Sequence, residues 1–292
     1  MLSALALLWG ASFMFIKVAV RDLAPATLIM GRLGTAALTL LVVALVTVGG
    51  RETLRELRAH APWLVVVALV NTALPFWLLS WGETRIDSGL ASIIQASVPL
   101  FNAAIAFAFF HEFRVTGARL AGVGVGFVGV ALLVGAQPNG KVLGALAVVG
   151  MALCYAAGGL LMGRHLKPVR PLVVALSSTA VSALVALPAG IAQAPGRAPG
   201  WKAIGSVLAL GIPGTALAYL LFFALILGAG SAYASLVTYL IPPIALAYGA
   251  VFLGEGFSGA AFAALVLILG GVALGTGSWR PGRLRRRLAS EP

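Results

Sequence analysis

The chain has 292 residues, of which 61% are hydrophobic and only 10% are charged, and its mean hydropathy is +1.04. Soluble domains carry about 25% charged residues. This composition therefore excludes an ordinary water-soluble protein and predicts one whose solvent is the lipid bilayer. The formal net charge of +12 does not indicate nucleic-acid binding, since the basic residues lie between apolar stretches and at the C-terminus rather than along one aromatic-rich face.

Apolar stretches separated by charged residues, glycine or proline predict ten transmembrane helices, because about 20 apolar residues cross the hydrocarbon core. In the first half of the chain the predicted spans are 2–19, 26–48, 62–81, 89–110 and 116–136. In the second half they are 142–163, 171–192, 202–227, 231–253 and 258–278. The predicted fold class is therefore an all-α integral membrane protein with short connections and no separate soluble domain.

The basic residues predict the topology, because Lys and Arg are enriched in cytoplasmic loops. One side of the predicted spans holds thirteen of them: Arg51, Arg55, Arg58, Arg114, Arg119, Arg164, Lys167, Arg170, Arg280, Arg283, Arg285, Arg286 and Arg287. The other side holds five: Arg21, Arg85, Lys141, Arg197 and Lys202. We therefore expect both termini to be cytoplasmic in a bacterial inner membrane, with the basic tail 280–292 lying on the anionic inner leaflet.

The sequence repeats itself at an offset of 143 residues, which aligns 71–112 with 214–255 without a gap. TALPFWLL then lies over TALAYLLF, and the 42 aligned positions include eleven identical pairs, among them Thr, Pro and Glu, which are rare in such segments. We therefore predict two related units, 1–138 and 139–279. Because each unit has five spans, an odd number, the second is expected to be inverted relative to the first. Inverted repeats are typical of secondary transporters that work by alternating access.

Three segments resemble the EamA-type members of the drug/metabolite transporter superfamily. They are LLWGASFMFIK in the first span, PATLIMGR at 25–32, and SGLASIIQASVPLFNAAIAFAFFHE in the fourth span. The resemblance covers nearly the whole chain, in both units. It implies a ten-helix basket around a central cavity and the export of amino acids or other small metabolites, with the aromatic amino-acid exporters among the most similar branches. Export of drugs or other metabolites is the alternative.

Two prolines at equivalent repeat positions, Pro99 and Pro242, fall near the middle of the fourth and ninth spans. A proline removes a backbone hydrogen bond and clashes with the preceding turn. A packing kink would account for them, but we favour midplane hinges beside a substrate site. Candidate cavity residues from these and the facing spans are Trp9, Ser12, Phe13, Phe76, Trp77, Ser80, Gln95, Tyr155, Tyr219, Phe222, Thr238 and Tyr239. Because most are aromatic, the predicted substrates are apolar or aromatic.

Two cations, Lys17 and Arg32, fall within predicted spans. Each either reaches the interface, where Arg32 could pair with Asp22, or recognises a substrate carboxylate. Carriers of nucleotide sugars or phosphates are expected to need more such cations. None of the eight acidic residues falls deep in a span, so the sequence favours a facilitator or exchanger over a proton antiporter.

Glu112 and Glu255 end the fourth and ninth spans, where we expect them to cap the helices that follow. The pairs Gly122/Gly126 and Gly271/Gly275 permit close helix approach, inside the basket or at a dimer contact. The predicted protein is thus a monomer or weak homodimer, without cofactor or metal. An intramembrane enzyme is disfavoured because no catalytic constellation is present, and a non-transporting assembly or sensor protein is the rival of another class.

Overall fold

A computed structural model describes residues 1–109, 117–137, 141–256 and 258–276, and all regular secondary structure in these ranges is helical. The helices before residue 138 are α1 (Leu2–Ala19), α2 (Pro25–Thr47), α3 (Gly50–Ala59), α4 (Ala61–Glu83), α5 (Ser88–Gln95), α6 (Val98–Phe109) and α7 (Ala118–Gly135). The later helices are α8 (Val142–His165), α9 (Pro171–Ala192), α10 (Trp201–Ala229), α11 (Ser231–Ala234), α12 (Val237–Leu253) and α13 (Gly259–Thr276).

Seven helical segments of the described ranges are long and apolar enough to cross a membrane: Leu2–Ala19, Pro25–Thr47, Ala61–Glu83, Ser88–Ile105, Val142–His165, Pro171–Ala192 and Trp201–Ala229. Three shorter apolar helices occupy the other predicted spans: Leu120–Gly135, Val237–Leu253 and Gly259–Gly275. The apolar pattern of the sequence did not predict α3, which is a short polar helix between two apolar ones. Its charged residues explain why no apolar pattern indicated it.

Two long helices contain a turn of π-helix at matching places. The turn occupies Leu69–Ala73 in α4 and Ile212–Leu217 in α10, so the two turns begin 143 residues apart (212 − 69 = 143). This is the offset that aligns the two halves of the sequence. Such turns insert an extra residue and frequently mark functional positions. Here both contribute residues to the cavity described below.

The fourth and ninth predicted spans are each interrupted. The chain leaves helical form at Ala96–Ser97, just before Pro99, and at Ser235–Leu236, between α11 and α12. The first interruption follows from the missing N–H of proline and its clash with the preceding turn. In α12, by contrast, the helix runs through Pro242 and Pro243. No break therefore occurs at Pro242 itself, and the interruption of this span lies more than a turn earlier.

The glycines of α7 and α13 bring these two helices into backbone contact. A Cβ atom on Gly271 would lie 2.5 Å from the backbone nitrogen of Gly126, and one on Gly122 would lie 2.6 Å from that of Gly275. The alternatives left open by the sequence were a contact inside the basket or at a dimer interface. In the structure these glycines form a contact between two helices of the same chain.

This contact carries a stability prediction. Replacing Gly271 with leucine should destabilise the protein by roughly 1–3 kcal/mol, because the side chain would overlap the backbone of α7. Thermal melting of the detergent-purified protein, followed by size-exclusion chromatography, measures the effect. Gly270→Leu is the matched control, since a Cβ there meets nothing within 4 Å. Equal melting of both variants would contradict the close contact.

The two ends of the helical bundle have different contacts. At one end, which we call the Arg170 end, Arg170 pairs with Glu52 and Glu56 of α3 at 3.5 and 3.3 Å. The ring of Trp63 stacks on His165 at the same end, with 3.4 Å between centroids. Charged residues and an interfacial aromatic ring are typical of a membrane boundary.

At the opposite end, which we call the Glu255 end, α1 is tied to the connection between α4 and α5. The Lys17 ammonium donates to the backbone carbonyls of Glu83 and Ile86 at 2.8 and 2.6 Å. The carboxylate of Glu255 binds the start of α5 here as well. These contacts close the bundle at this end.

Candidate functional site

A cavity of about 330 Å³ lies among α1, α2, α4, α5, α6, α8, α9, α10 and α12. Cavities of this size accommodate small molecules. Its aromatic lining is Trp9, Phe13, Phe76, Tyr155, Tyr219, Phe222 and Phe223. Its polar lining is Ser12, Arg32, Asn71, Ser92, Gln95, Ser178, Thr215, Ser235 and Thr238. The cavity thus combines an aromatic wall with scattered hydrogen-bonding groups and the guanidinium of Arg32, and no Asp or Glu of the described chain lines it.

The lining reaches within four residues of helix ends on both sides of the bundle. Met162, near the C-terminus of α8, and Val174, near the N-terminus of α9, belong to it. Toward the Glu255 end it stops at Ile16 and Leu79, below the contacts of Lys17. A molecule in the cavity would therefore lie between the two ends, beneath the contacts of Lys17.

Nine of the twelve candidate cavity residues line this one cavity: Trp9, Ser12, Phe13, Phe76, Gln95, Tyr155, Tyr219, Phe222 and Thr238. The other three, Trp77, Ser80 and Tyr239, lie outside the lining. Trp77 is 37% exposed on the outer surface of α4, and Ser80 is buried away from the cavity. Tyr239 packs against the main hydrophobic core. Each of the three directly follows a residue that lines the cavity, namely Phe76, Leu79 and Thr238. Its side chain therefore points to a different side of the helix.

Arg32 is the charged group among the described residues that line the cavity. It is only 7% exposed. Its Nε donates to Thr215 Oγ1 at 3.1 Å, and its guanidinium carbon lies 4.3 Å from the ring centre of Phe76. In the described chain no carboxylate lies within 4.0 Å of it, so the alternative of pairing with Asp22 is absent. The guanidinium retains donors for a carboxylate that enters the cavity.

Lys17, the other candidate for carboxylate recognition, has a different position. It does not line the cavity, and its ammonium binds the two backbone carbonyls at the Glu255 end. Of the two cations, only Arg32 meets the cavity. Lys17 instead supports the closed end of the bundle.

Glu255 caps a helix, but not the one that the sequence predicted. Its Oε1 accepts from the Ser88 backbone N–H at 2.9 Å, and its Oε2 accepts from Ser88 Oγ and the Gly89 N–H at 2.8 and 3.1 Å. The capped helix is α5, not the following α13, so this expectation is wrong. Gly254 makes the contact possible, because its φ of +67° turns the chain back toward α5. Glu112 lies outside the described residues.

The model of the EamA-like transporter family matches the chain twice, over residues 1–135 and 142–276. The chain belongs to the EamA-like transporter family. It is therefore a multi-pass membrane transporter, and its family is one of transporters rather than of enzymes.

Curated relatives of this EamA-like transporter match over most of their length. A probable terminal-alkyne amino-acid exporter of Streptantibioticus cattleyicolor is 28% identical over 85% of this chain and 82% of its own. An uncharacterised inner membrane transporter, YedA of Escherichia coli K12, is 25% identical over 94% of this chain and 89% of its own. A probable amino-acid metabolite efflux pump of Salmonella typhimurium is 26% identical over 95% and 94%.

A solved crystal structure shares the fold of this transporter. It is 21% identical in sequence, superposes with a TM-score of 0.68, and covers 94% of this chain and 95% of its own. At this level of identity the likeness concerns the fold alone.

Among the lining residues of the transporter that the sequence did not indicate are Asn71, Ser178 and Thr215. Thr215 carried a usable signal, because it is an identical repeat partner of Thr72. Asn71 and Thr215 belong to the π turns, whose shifted register no apolar periodicity reveals. Among the described residues no group of three or more His, Cys, Asp or Glu could hold a metal ion.

Proposed function

We propose that this protein exports amino acids with apolar or aromatic side chains, or similar small carboxylates, by alternating access. The observation that carries the proposal is Arg32, a buried cation in an aromatic cavity whose described lining contains no acidic residue. A buried charge is costly unless a partner meets it. A substrate carboxylate is the partner that a planar guanidinium binds best.

The rest of the cavity suits the other parts of an amino acid. The ring centre of Phe222 lies 5.3 Å from that of Trp9 and 6.1 Å from that of Phe223. These three rings form an apolar surface for the side chain of the amino acid. An ammonium group has no lining carboxylate to bind, but aromatic faces and the amide oxygens of Asn71 and Gln95 attract cations. The names of the two amino-acid exporters among the relatives support the same substrate class.

The proposed architecture is ten spans in two inverted units, 1–138 and 139–279. The family model matches the chain twice, and the π turns of α4 and α10 recur at the repeat offset. With both termini in the cytoplasm, the Arg170 end faces inward, in agreement with the positive charge of its loops. The structure then corresponds to a state closed at the outer, Glu255 end, with Pro99 and Pro242 as candidate hinges.

A monomer or weak homodimer is the proposed assembly. The glycine pairs that offered a dimer contact are used between α7 and α13 of one chain. The proposed substrate is a small molecule, and the facilitator or exchanger mode remains the proposed form of transport.

The test is a flux panel in proteoliposomes. We expect saturable counterflow of apolar and aromatic amino acids. Other small carboxylates should inhibit this counterflow, whereas the corresponding carboxamides should inhibit it little. Counterflow in the absence of an ion gradient would support the exchanger mode. Saturable transport confined to aromatic drugs without a carboxylate would favour the drug-export alternative. No transport of any amino acid would overturn the proposed substrate class.

A further inference from the structure

Glu83, the last residue of α4, is enclosed by protein. It is 0% exposed, and neither oxygen of its carboxyl group has a hydrogen-bond partner in the described chain. No described basic nitrogen lies within 4.0 Å of it. An ionised carboxylate here would give up its hydration without replacement, which costs several kcal/mol. A neutral carboxyl group loses much less.

Apolar packing keeps water from this carboxyl group. Ile86 and Leu79, on either side of it along the chain, are buried in the main core. The preceding Gly82 packs so closely on α8 that a Cβ atom would lie 3.0 Å from the carbonyl oxygen of Gly144. The sequence placed Glu83 at the end of a span, where a carboxylate usually meets water. In the structure this end is closed.

Three charged groups on other elements lie within electrostatic range of Glu83: Lys17 of α1, Arg32 of α2 and Glu255 after α12. The Lys17 ammonium is bound by backbone carbonyls, one of which belongs to Glu83 itself. The Glu255 carboxylate is bound by the N-terminus of α5. Two cations are thus close enough to attract an ionised Glu83 after a rearrangement, but neither contacts its carboxyl group while this end is closed.

We propose that Glu83 is a proton-binding site whose occupancy is linked to closure of the Glu255 end, which rests on the alternating access proposed above. In the closed state one carboxyl oxygen carries the proton. When this end opens, water reaches the group, the proton leaves to that water, and the anion remains near Lys17 and Arg32. Closure takes one proton back from the same side. Acidity on that side therefore favours the closed state, by the reciprocity of linked equilibria.

The same site connects the proton to the cargo. Arg32 lines the cavity and lies within electrostatic range of Glu83. An ionised Glu83 therefore competes with a substrate carboxylate for the positive charge of Arg32. Opening of the Glu255 end promotes substrate release on that side, and protonation resets the site. This gate makes an exchanger sensitive to pH without carrying the proton across the membrane.

The test uses a cysteine reporter in the full-length protein. Ile16 lines the cavity and is 1% exposed, so a reagent from the Glu255 side reaches it only when that end opens. Ile16→Cys is combined with Cys154→Ala, which removes the free native thiol. Membrane vesicles that expose this side are labelled with an impermeant maleimide. Thr84→Cys, exposed at the same end, confirms the sidedness and normalises the reagent's own pH dependence.

We expect the normalised labelling rate of Ile16→Cys to rise severalfold to tenfold from about pH 6 to about pH 8, since one linked proton changes an equilibrium by up to tenfold per pH unit. Glu83→Gln should label slowly at both values. Glu83→Leu also removes the charge and should label equally slowly, which provides a second variant for the case that Glu83→Gln does not fold. Asp87→Asn, in the same connection, should keep the full pH dependence.

The outcomes separate this proposal from the transport mechanism. Labelling that does not depend on pH, or a pH dependence retained in both Glu83 variants, overturns the proton site and leaves alternating access intact. If Ile16→Cys never reacts while Thr84→Cys does, the opening of this end is overturned, and the proton linkage with it. Loss of the pH dependence only in the Glu83 variants supports the proposal.

Discussion

Replacing Arg32 with glutamine is expected to lower the transport efficiency for amino acids by roughly tenfold to a hundredfold. A hydrogen bond between charged groups contributes about 1.5–3 kcal/mol, and each 1.4 kcal/mol corresponds to about tenfold. Arg32→Lys should retain part of the activity, because a lysine keeps the charge but not the planar pair of donors. The measurement is initial-rate counterflow in proteoliposomes, normalised to the amount of folded protein.

A selectivity ratio separates substrate recognition from a general loss of structure. Wild-type protein should prefer an amino acid over its carboxamide by about the same tenfold to hundredfold. Arg32→Gln should lose this preference, whatever its absolute rate. The matched control is Arg85→Gln, since Arg85 lies over the Trp81 ring at 3.5 Å and outside the cavity. An unchanged preference in Arg32→Gln would exclude Arg32 as the carboxylate anchor.

The positions of the apolar helices could be predicted because membrane insertion depends on a local property, the length of an apolar stretch. Apart from α3 and the interruptions within the fourth and ninth predicted spans, the observed helices of the described ranges begin and end within two residues of the predicted spans. Arg32 was identifiable for a related reason, since a cation in such a stretch needs a partner. What remained open was whether that partner was Asp22 or a ligand, because this depends on how separate helices pack.

Side-chain direction was predicted less well, and the π turn of α4 shows why. Asn71 and Phe76 both line the cavity although they are five residues apart, a spacing that the extra residue of the turn allows. Regular periodicity misses such a shift. Trp77 and Ser80 were therefore included as candidates although each directly follows a residue that lines the cavity, Phe76 and Leu79 respectively.

The contacts of Glu83 and Glu255 could not be predicted, because they join residues far apart in the sequence. Glu255 lies 167 residues from the Ser88 that it binds. Asp87 occupies the N-cap position of α5. In the structure the Asp87 side chain forms no capping hydrogen bond. Tertiary packing has replaced the local cap by one from the other proposed unit.

This long-range cap gives the second large prediction. Replacing Glu255 with alanine should shift the Glu255 end toward the open state by roughly tenfold, because opening no longer breaks three hydrogen bonds to Ser88 and Gly89. A helix cap contributes about 0.5–2 kcal/mol, and the negative charge at the helix N-terminus adds to it. The measurement is the labelling rate of Ile16→Cys from that side.

The control and the partner residue make this prediction specific. Asp87→Ala should leave the labelling rate near that of the wild type, since that side chain caps nothing. Ser88→Ala removes one of the three hydrogen bonds and should produce a smaller opening than Glu255→Ala. The double variant should be no more open than Glu255→Ala alone, because residues in contact act non-additively. Strict additivity would mean that Glu255 holds this end closed through some other contact than the start of α5.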